Sequence, residues 1–233
     1  MLAVNALDVD INGTPILRGI GLEINSGEII GLIGRNGAGK TTFLRSVMGL
    51  LPIVDGSIYH NDRDLKEEPG YRRAHMGFGY MPEDRRLVPE MTAEQNILVP
   101  VWSTNISDHA ARLEWIYKII PECEKFRDMP ATSLSGGQQK LVALARALMV
   151  GQTLLLLDEP YEGLAPVIVQ EIERMLREVK SMGITTIIVE QNAVAALKLA
   201  DHAIIIDTGE IVFSGTAQEV LDNQALREEY LAV

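Results

Sequence analysis

Apolar and polar residues alternate in the first part of the chain. The alternation runs over residues 7–11 and again over residues 20–24, and the turn signal Asn12-Gly13 lies between the two stretches. A period of two is typical of strands that bury one face, and Asn-Gly favours a tight hairpin. We therefore expect an antiparallel β layer at the N-terminus, which residues 56–59 rejoin.

In the middle of the chain the spacing of apolar residues becomes helical. Apolar side chains recur at i, i+3, i+4 and i+7 over residues 113–120. The stretch Thr92-Ala93-Glu94-Gln95 has the form of a capping box, which begins a helix. This pattern predicts a mostly helical lobe over residues 87–150.

Short, continuous apolar runs follow in the second half of the chain, at residues 153–157, 184–189 and 203–206. Such runs are typical of parallel strands that are buried on both faces. A helical apolar stripe lies between the first two runs, and Gly183 ends it. Strands that alternate with helices predict an α/β fold with a mostly parallel central sheet.

Length and composition fit one domain. A chain of 233 residues can bury a self-sufficient core, and we expect a single domain over residues 1–233 with its α/β core in about 1–86 and 151–233. The net charge of −11 argues against a nucleic-acid partner. A single cysteine, Cys123, excludes an internal disulfide. No apolar run approaches the roughly 18 residues of a membrane helix, so we expect membrane association only through a partner.

A glycine-rich turn connects the apolar run at residues 29–33 to a stretch with helical spacing. It matches G-x-x-x-x-G-K-[ST], in which backbone N–H groups turn inward on a phosphate, the lysine reaches the terminal phosphates and the hydroxyl holds magnesium. A turn that binds nothing is the alternative, but the flanking strand and helix are the context that the motif requires. Thr41 is therefore a predicted ligand of Mg²⁺. The predicted nucleotide-binding residues of this loop are Gly34, Arg35, Asn36, Gly37, Ala38, Gly39, Lys40, Thr41 and Thr42.

Two adjacent acids follow the apolar strand at residues 154–157. Strand ends of an α/β sheet open onto the ligand crevice, so we expect both carboxylates to face the phosphate-binding loop. Asp158 suits a role in holding Mg²⁺, directly or through water, and Glu159 a role in orienting or deprotonating the water that attacks the γ-phosphate. The alternative is a pair of surface acids at a strand end.

A second anion site is predicted where another helix begins. Ser135 and Gln138 form a capping box, and the glycines at 136 and 137 are unfavourable inside a helix unless a backbone approaches closely. Exposed N–H groups at such a helix start favour an anion. Two separate anion sites indicate either two anions or one anion shared with a second chain. The residues of this motif are Leu134, Ser135, Gly136, Gly137 and Gln138.

The chain resembles the ATP-binding cassette ATPases over essentially its whole length. The resemblance lies in the order of three motifs, which are the phosphate-binding loop, L-S-G-G-Q, and an apolar strand followed by Asp-Glu. The resemblance implies a P-loop NTPase fold, ATP and Mg²⁺ as ligands, and hydrolysis of ATP to ADP and phosphate. In that family two cassettes meet head to tail. Residues 134–138 would then contact the γ-phosphate of ATP bound on a second ATPase subunit.

Departures from the common cassette pattern indicate one subgroup of this family. Glu83 stands where a glutamine is usual, and Gln191 replaces the usual switch histidine. The resemblance implies that Glu83 ligates the metal, that Gln191 contacts the γ-phosphate, and that Ile11, at the position of the usual aromatic residue, contacts adenine by apolar contact alone. Together with Gly163-Leu164-Ala165-Pro166, these features resemble the ATPase subunits of branched-chain amino acid type importers, including relatives that serve amides or small organic acids.

The leading hypothesis is thus an importer ATPase at the cytoplasmic face of the cell membrane. It would act through transmembrane permease subunits and, indirectly, with a solute-binding protein. A heterodimer with a different ATPase subunit is preferred and a homodimer is the alternative. A cassette protein in assembly, repair or translation, and a small-molecule P-loop kinase, are the competing hypotheses.

Overall fold

The computed structural model describes residues 1–104 and 106–230. Residue 105 of the predicted lobe and residues 231–233 of the predicted domain therefore lie outside the described residues. The chain forms two compact units, of which the first combines Met1–Arg73 with the chain from Thr185 onward and the second is Ala74–Ile184.

The strands are, in chain order, β1 (Leu2–Ile11), β2 (Thr14–Ile24), β3 (Ile29–Ile33), β4 (Asp55–His60), β5 (Arg63–Asp64), β6 (Phe78–Met81), β7 (Leu154–Asp158), β8 (Thr185–Glu190), β9 (His202–Asp207) and β10 (Glu210–Thr216). The helices are α1 (Lys40–Val47), α2 (Gly70–His75), α3 (Ala93–Leu98), α4 (Val101–Thr104), α5 (His109–Ile119), α6 (Pro121–Lys125), α7 (Gly136–Val150), α8 (Pro166–Ser181), α9 (Ala193–Leu197), α10 (Ala217–Asp222) and α11 (Gln224–Tyr230). A short 3₁₀ helix covers Ala131–Ser133.

The predicted antiparallel layer belongs to the first unit, with strand order β2-β1-β4-β5. Asn12 and Gly13 both have positive φ, 53° and 78°, as a two-residue hairpin turn requires. The hairpin and the return of β4 are confirmed, because β1 pairs antiparallel with both β2 and β4.

The first unit also contains a mostly parallel set of strands. β3 lies between β8 and β9 and is parallel to both. All five residues of β3 and all six of β8 are buried, which agrees with the apolar sequence of β3 and of residues 187–189 in β8. Thr185, Thr186 and Glu190 are the buried polar residues of β8. β10 pairs antiparallel with β9 and was not predicted, because every second residue of this edge strand is exposed.

In the second unit β6 and β7 are parallel neighbours, and α7 packs on β6. The packing is close, since a Cβ added at Gly79 would lie 2.2 Å from the carbonyl oxygen of Ala147. The helices predicted at Thr92, within residues 113–120 and between the apolar runs at 153–157 and 184–189 are confirmed as α3, α5 and α8. Among the described residues, no helix combines the length and the apolar character needed to cross a membrane.

Candidate functional site

The phosphate-binding loop lies in the first unit, between β3 and α1. Its glycines at 34, 37 and 39 have φ values of 149°, 78° and 110°, a region that disfavours side chains. At Gly34 a Cβ would lie 2.1 Å from the carbonyl oxygen of Ile206, and at Gly39 a Cβ would lie 2.7 Å from Leu17 Cδ2. Conformation and space therefore both require glycine at position 34, whereas at position 39 the backbone conformation is the main requirement.

Backbone hydrogen bonds hold the loop in place. Ala38 N–H donates to the Arg35 carbonyl at 3.2 Å, and Gly209 N–H donates to the Ala38 carbonyl at 2.9 Å. Gly209 lies in the turn between β9 and β10, and its own carbonyl accepts from Arg18 N–H of β2 at 2.9 Å. The loop is thus fixed from the sheet and from the antiparallel layer of the same unit, as preorganised anion binding requires.

Lys40 is the buried cation of this loop, with 6% of its surface exposed. Its Nζ donates to the carbonyls of Gly34 at 2.7 Å and Arg35 at 3.0 Å. Helix α1 begins at Lys40 and has no acidic residue in its first turn, so no carboxylate there offsets the positive end of the helix dipole. Thr41 and Thr42 follow in the same turn, partly exposed and buried respectively.

The other predicted nucleotide contacts in the first unit occupy exposed or partly exposed positions. The Arg35 guanidinium donates to the Glu229 carbonyl of α11 at 2.6 Å, and Asn36 is exposed. Ile11 is the last residue of β1 and is partly exposed. Gln191 is exposed and follows β8 directly. The roles assigned to these residues stay predictions.

The acids lie in the second unit. Asp158 ends β7 and is fully buried, and Glu159 follows with a left-handed φ of 51°. One carboxylate oxygen from each of Glu83, Glu159 and Glu162 lies within 4.8 Å of the other two, and we call these three residues the carboxylate cluster. Three like charges so close favour a cation, and carboxylate oxygens suit Mg²⁺.

The fold therefore brings Glu83 and Glu159 together, as the predicted site requires. Thr41 belongs to the first unit, whereas Glu83 and Asp158 belong to the second. Sequence reasoning missed Glu162, although it lies only three residues beyond Glu159 and in the same loop.

A buried lysine beneath this loop was also missed. Lys140 of α7 is 5% exposed, and its Nζ donates to the carbonyls of Glu159 and Glu162, both at 2.7 Å. The same Nζ lies 3.7 Å from Glu162 Oε2. No feature of the sequence marks this residue, because the burial of a lysine depends on the carbonyl oxygens that the fold places around it.

The predicted capping box at the start of α7 is confirmed. Ser135 Oγ accepts from Gln138 N–H at 3.3 Å, and Gln138 Oε1 accepts from Ser135 N–H at 2.9 Å. Leu134 is buried, Gly136 is exposed, and the first turn holds no acidic residue. The helix therefore presents its positive end to solvent, as the second anion site requires.

A cavity of about 330 Å³ opens beside this helix start, within the second unit. It joins the first turn of α7 to the carboxylate cluster. The lining residues are Glu83, Arg85, Gly136, Gly137, Lys140, Glu162, Gly163 and Leu164.

The chain is similar to known proteins over most of its length. The family model described as ABC transporter matches residues 17–162. The chain is 35% identical to the high-affinity branched-chain amino acid transport ATP-binding protein BraG of Pseudomonas aeruginosa, over 99% of each chain. It is 32% identical to the lipopolysaccharide export system ATP-binding protein LptB of Escherichia coli, over 94% of this chain and 92% of that protein.

Solved structures give the same result for the fold. The ATP-binding subunit of an ABC transporter superposes with a TM-score of 0.86 at 25% identity, covering 100% of this chain and 96% of that one. An ATP-binding cassette of an ABC transporter in its ADP conformation gives 0.83 at 26% identity, covering 98% and 97%. The predicted α/β P-loop NTPase fold is confirmed. The chain therefore belongs to the ABC transporter family and is one of its ATP-hydrolysing ATP-binding cassettes.

Proposed function

We propose that this chain powers an importer for branched-chain amino acids or for related small amides and organic acids. The observation that carries the proposal is the similarity to BraG, which extends over 99% of both chains. Glu83 and Gln191, two of the departures from the common cassette pattern, support the same subgroup. The proposed place of action is the cytoplasmic face of the cell membrane.

In the proposed binding step, the loop from Gly34 to Thr42 surrounds the phosphates of ATP. Its backbone N–H groups and the positive end of α1 face the phosphate oxygens, and Lys40 reaches the β- and γ-phosphates. Thr41, Asp158 and Glu83 would hold Mg²⁺, which would offset phosphate charge when bound. Ile11 contacts adenine through apolar atoms alone.

In the proposed chemical step, water attacks the γ-phosphorus while the bond from that phosphorus to the β–γ bridging oxygen breaks. Glu159 orients this water and accepts its proton, so that ADP and inorganic phosphate leave. Gln191 donates an amide hydrogen bond to the γ-phosphate. The left-handed backbone at Glu159 sets the direction in which its carboxylate leaves the strand.

The proposed assembly is a head-to-tail pair of cassettes. Residues 134–138 of one subunit then contact the γ-phosphate held by the other, using the N–H groups at the start of α7. We prefer a heterodimer with a second ATPase subunit over a homodimer. The pair acts on transmembrane permease subunits, and a solute-binding protein takes part indirectly.

Replacement of Glu159 tests the catalytic assignment. Glu159→Gln should retain ATP binding and lose about 10²–10⁴-fold in turnover, because the amide cannot accept the proton. In the presence of ATP it should also elute as a long-lived dimer in size-exclusion chromatography. Glu90→Gln removes an equal charge from an exposed position and is the matched control. Unchanged turnover in Glu159→Gln would remove this residue from the proposed role.

The similarity to LptB favours a second candidate, an ATPase subunit of an export system. Purification of the tagged chain from native membranes separates the two, since the co-purifying hydrophobic subunits identify the system. We expect permease subunits of an amino-acid type importer. Recovery of the chain without any membrane subunit would instead favour a cassette protein in assembly, repair or translation.

A further inference from the structure

The buried ammonium of Lys140 is unusual for its position in α7. It is the fifth residue of the helix, near the positive end of the helix dipole, where a cation is unfavourable. It is also almost completely removed from water, which disfavours a charge further. Such a residue needs strong local compensation, and the loop after β7 provides it.

The compensation comes from the backbone of the loop that carries Glu159. The carbonyls of Glu159 and Glu162 both accept hydrogen bonds from Lys140 Nζ at 2.7 Å. Between them, Glu162 N–H donates to the Glu159 carbonyl at 3.4 Å, so the ammonium bridges both ends of one turn. Charge-assisted hydrogen bonds are about twice as strong as neutral ones, which makes this turn a well-fixed structure.

The same turn contains an unfavourable backbone conformation. Glu159 has φ of 51°, which residues other than glycine rarely adopt and which persists only where surrounding contacts determine it. The hydrogen bond from Lys140 falls on the carbonyl of this residue. Lys140 therefore holds the backbone from which the Glu159 side chain projects.

Electrostatics act in the same direction. The carboxylate cluster places three anions within 4.8 Å, and they repel one another. Lys140 Nζ lies 3.7 Å from the Glu162 carboxylate, and it lines the same cavity as Glu83. A fixed positive charge beside the cluster offsets part of this repulsion.

Lys140 also lies two residues beyond Gln138 in the helix whose first turn forms the second anion site. We propose that Lys140 is a positioning residue that connects the start of α7 to the loop carrying Glu159. An anion bound at residues 135–138 would then bias the placement of Glu159 through one buried side chain. This inference rests on the proposed function of Glu159 and of the start of α7.

The first test separates positioning from ATP binding. Lys140→Met should lower kcat for ATP hydrolysis about 10- to 100-fold, because misplacement of a catalytic group by about 1 Å has effects of this size. KM for ATP should change less than about twofold, since Lys140 is not among the residues proposed to hold ATP or Mg²⁺. Lys118→Met, an exposed lysine of α5, is the matched control.

Rescue and stability measurements exclude a merely structural effect. Lys140→Arg can still donate to two carbonyls and should recover at least about a fifth of wild-type kcat. Circular dichroism and urea titration establish the folded fraction of each variant. If Lys140→Met does not fold, kcat and KM are compared in the same way for Lys140→Gln and Lys140→Arg. Wild-type kcat in a folded Lys140→Met or Lys140→Gln variant would overturn the proposal.

A double variant tests whether Lys140 acts through Glu159. In Glu159→Gln, the further change Lys140→Met should reduce residual hydrolysis less than about twofold, because residues that act as a unit are not additive. A further tenfold loss would contradict action through Glu159. If Glu159→Gln alone keeps full turnover, the proposed function fails. If it is inactive while Lys140→Met is fully active, only the present inference fails.

Discussion

At the scale of single residues, a buried cation that donates to backbone carbonyls determines both local stability and the placement of site residues. Arg73 is 2% exposed and donates to the carbonyls of Ser46, Val47, Leu65 and Glu68 at 2.6–2.9 Å. Ser46 and Val47 end α1, the helix that follows the phosphate-binding loop. Burial lowers the pKa of Arg73 to about 10, so it remains charged at neutral pH.

Loss of this guanidinium should destabilise the first unit. Arg73→Met leaves buried carbonyls without their donor, and we expect the free energy of unfolding to fall by about 2–4 kcal/mol. Urea titration followed by circular dichroism measures the change. Arg72→Met, at the adjacent exposed arginine, is the control and should change the free energy of unfolding by less than about 0.5 kcal/mol. Equal effects of both variants would contradict this account of Arg73.

Gln191 leads to a prediction about pH. An amide does not titrate near neutrality, so the ATPase rate should show no histidine-like step between about pH 6 and 7 from this position. Gln191→Ala should lower the ATPase rate by the same factor at every pH. Gln191→His should add a step to the pH–rate profile between about pH 6 and 7. Steady-state rates from about pH 5.5 to 8.5 provide the test. A profile whose shape changes in Gln191→Ala counts against the prediction.

At the scale of elements, α7 organises the second unit. Its Lys140 holds the loop after β7, and its Arg146 donates to the carbonyls of Arg85 and Arg86 in the loop after β6. Both arginines of that loop, like Glu159, have positive φ. One helix thus fixes two unfavourable backbone segments that carry predicted site residues.

The close packing of α7 on β6 is testable at Gly79. A Cβ there would lie 2.2 Å from the Ala147 carbonyl oxygen and 2.9 Å from Gly151 Cα, and neither backbone can move alone. Gly79→Ala should therefore lower the free energy of unfolding by about 1–3 kcal/mol and reduce ATPase activity. Gly21→Ala, at a strand glycine where an added Cβ would lie 3.8 Å from the Val4 carbonyl oxygen, should have little effect. Thermal or urea unfolding that ranks the two variants equally would contradict this reasoning.

At the scale of the whole molecule, net charge affects the homodimer, which is the alternative to the preferred heterodimer. Each copy carries −11, so two copies repel one another in a dimer. Raising NaCl from about 0.1 M to about 0.5 M shortens the screening length from about 10 Å towards 3 Å. The ATP-bound dimer of Glu159→Gln should therefore tighten, which analytical ultracentrifugation at saturating ATP measures. Weaker association at high salt would indicate that local charge pairs across the interface dominate.

The sequence by itself determined the features that depend on neighbours in the chain. The hairpin at Asn12-Gly13, the capping box at Ser135 and the positive-φ glycines of the phosphate-binding loop are local, and each follows from backbone geometry and short hydrogen bonds. Buried strands such as β3 could also be predicted from the sequence, because both of their faces are apolar. The edge strand β10 was not predicted, because every second residue in it is exposed and it forms no continuous apolar run.

The tertiary structure alone decided which distant residues meet. Glu83 reaches Glu159 across 76 positions of sequence (159 − 83), and Lys140 reaches the carbonyls of Glu159 and Glu162 from another element. Composition and spacing carry no signal for such contacts, because a buried ammonium is recognised only by the backbone oxygens that the fold places around it. The sequence therefore identifies the acidic residues of the loop that carries Glu159, whereas packing against α7 determines where that loop lies.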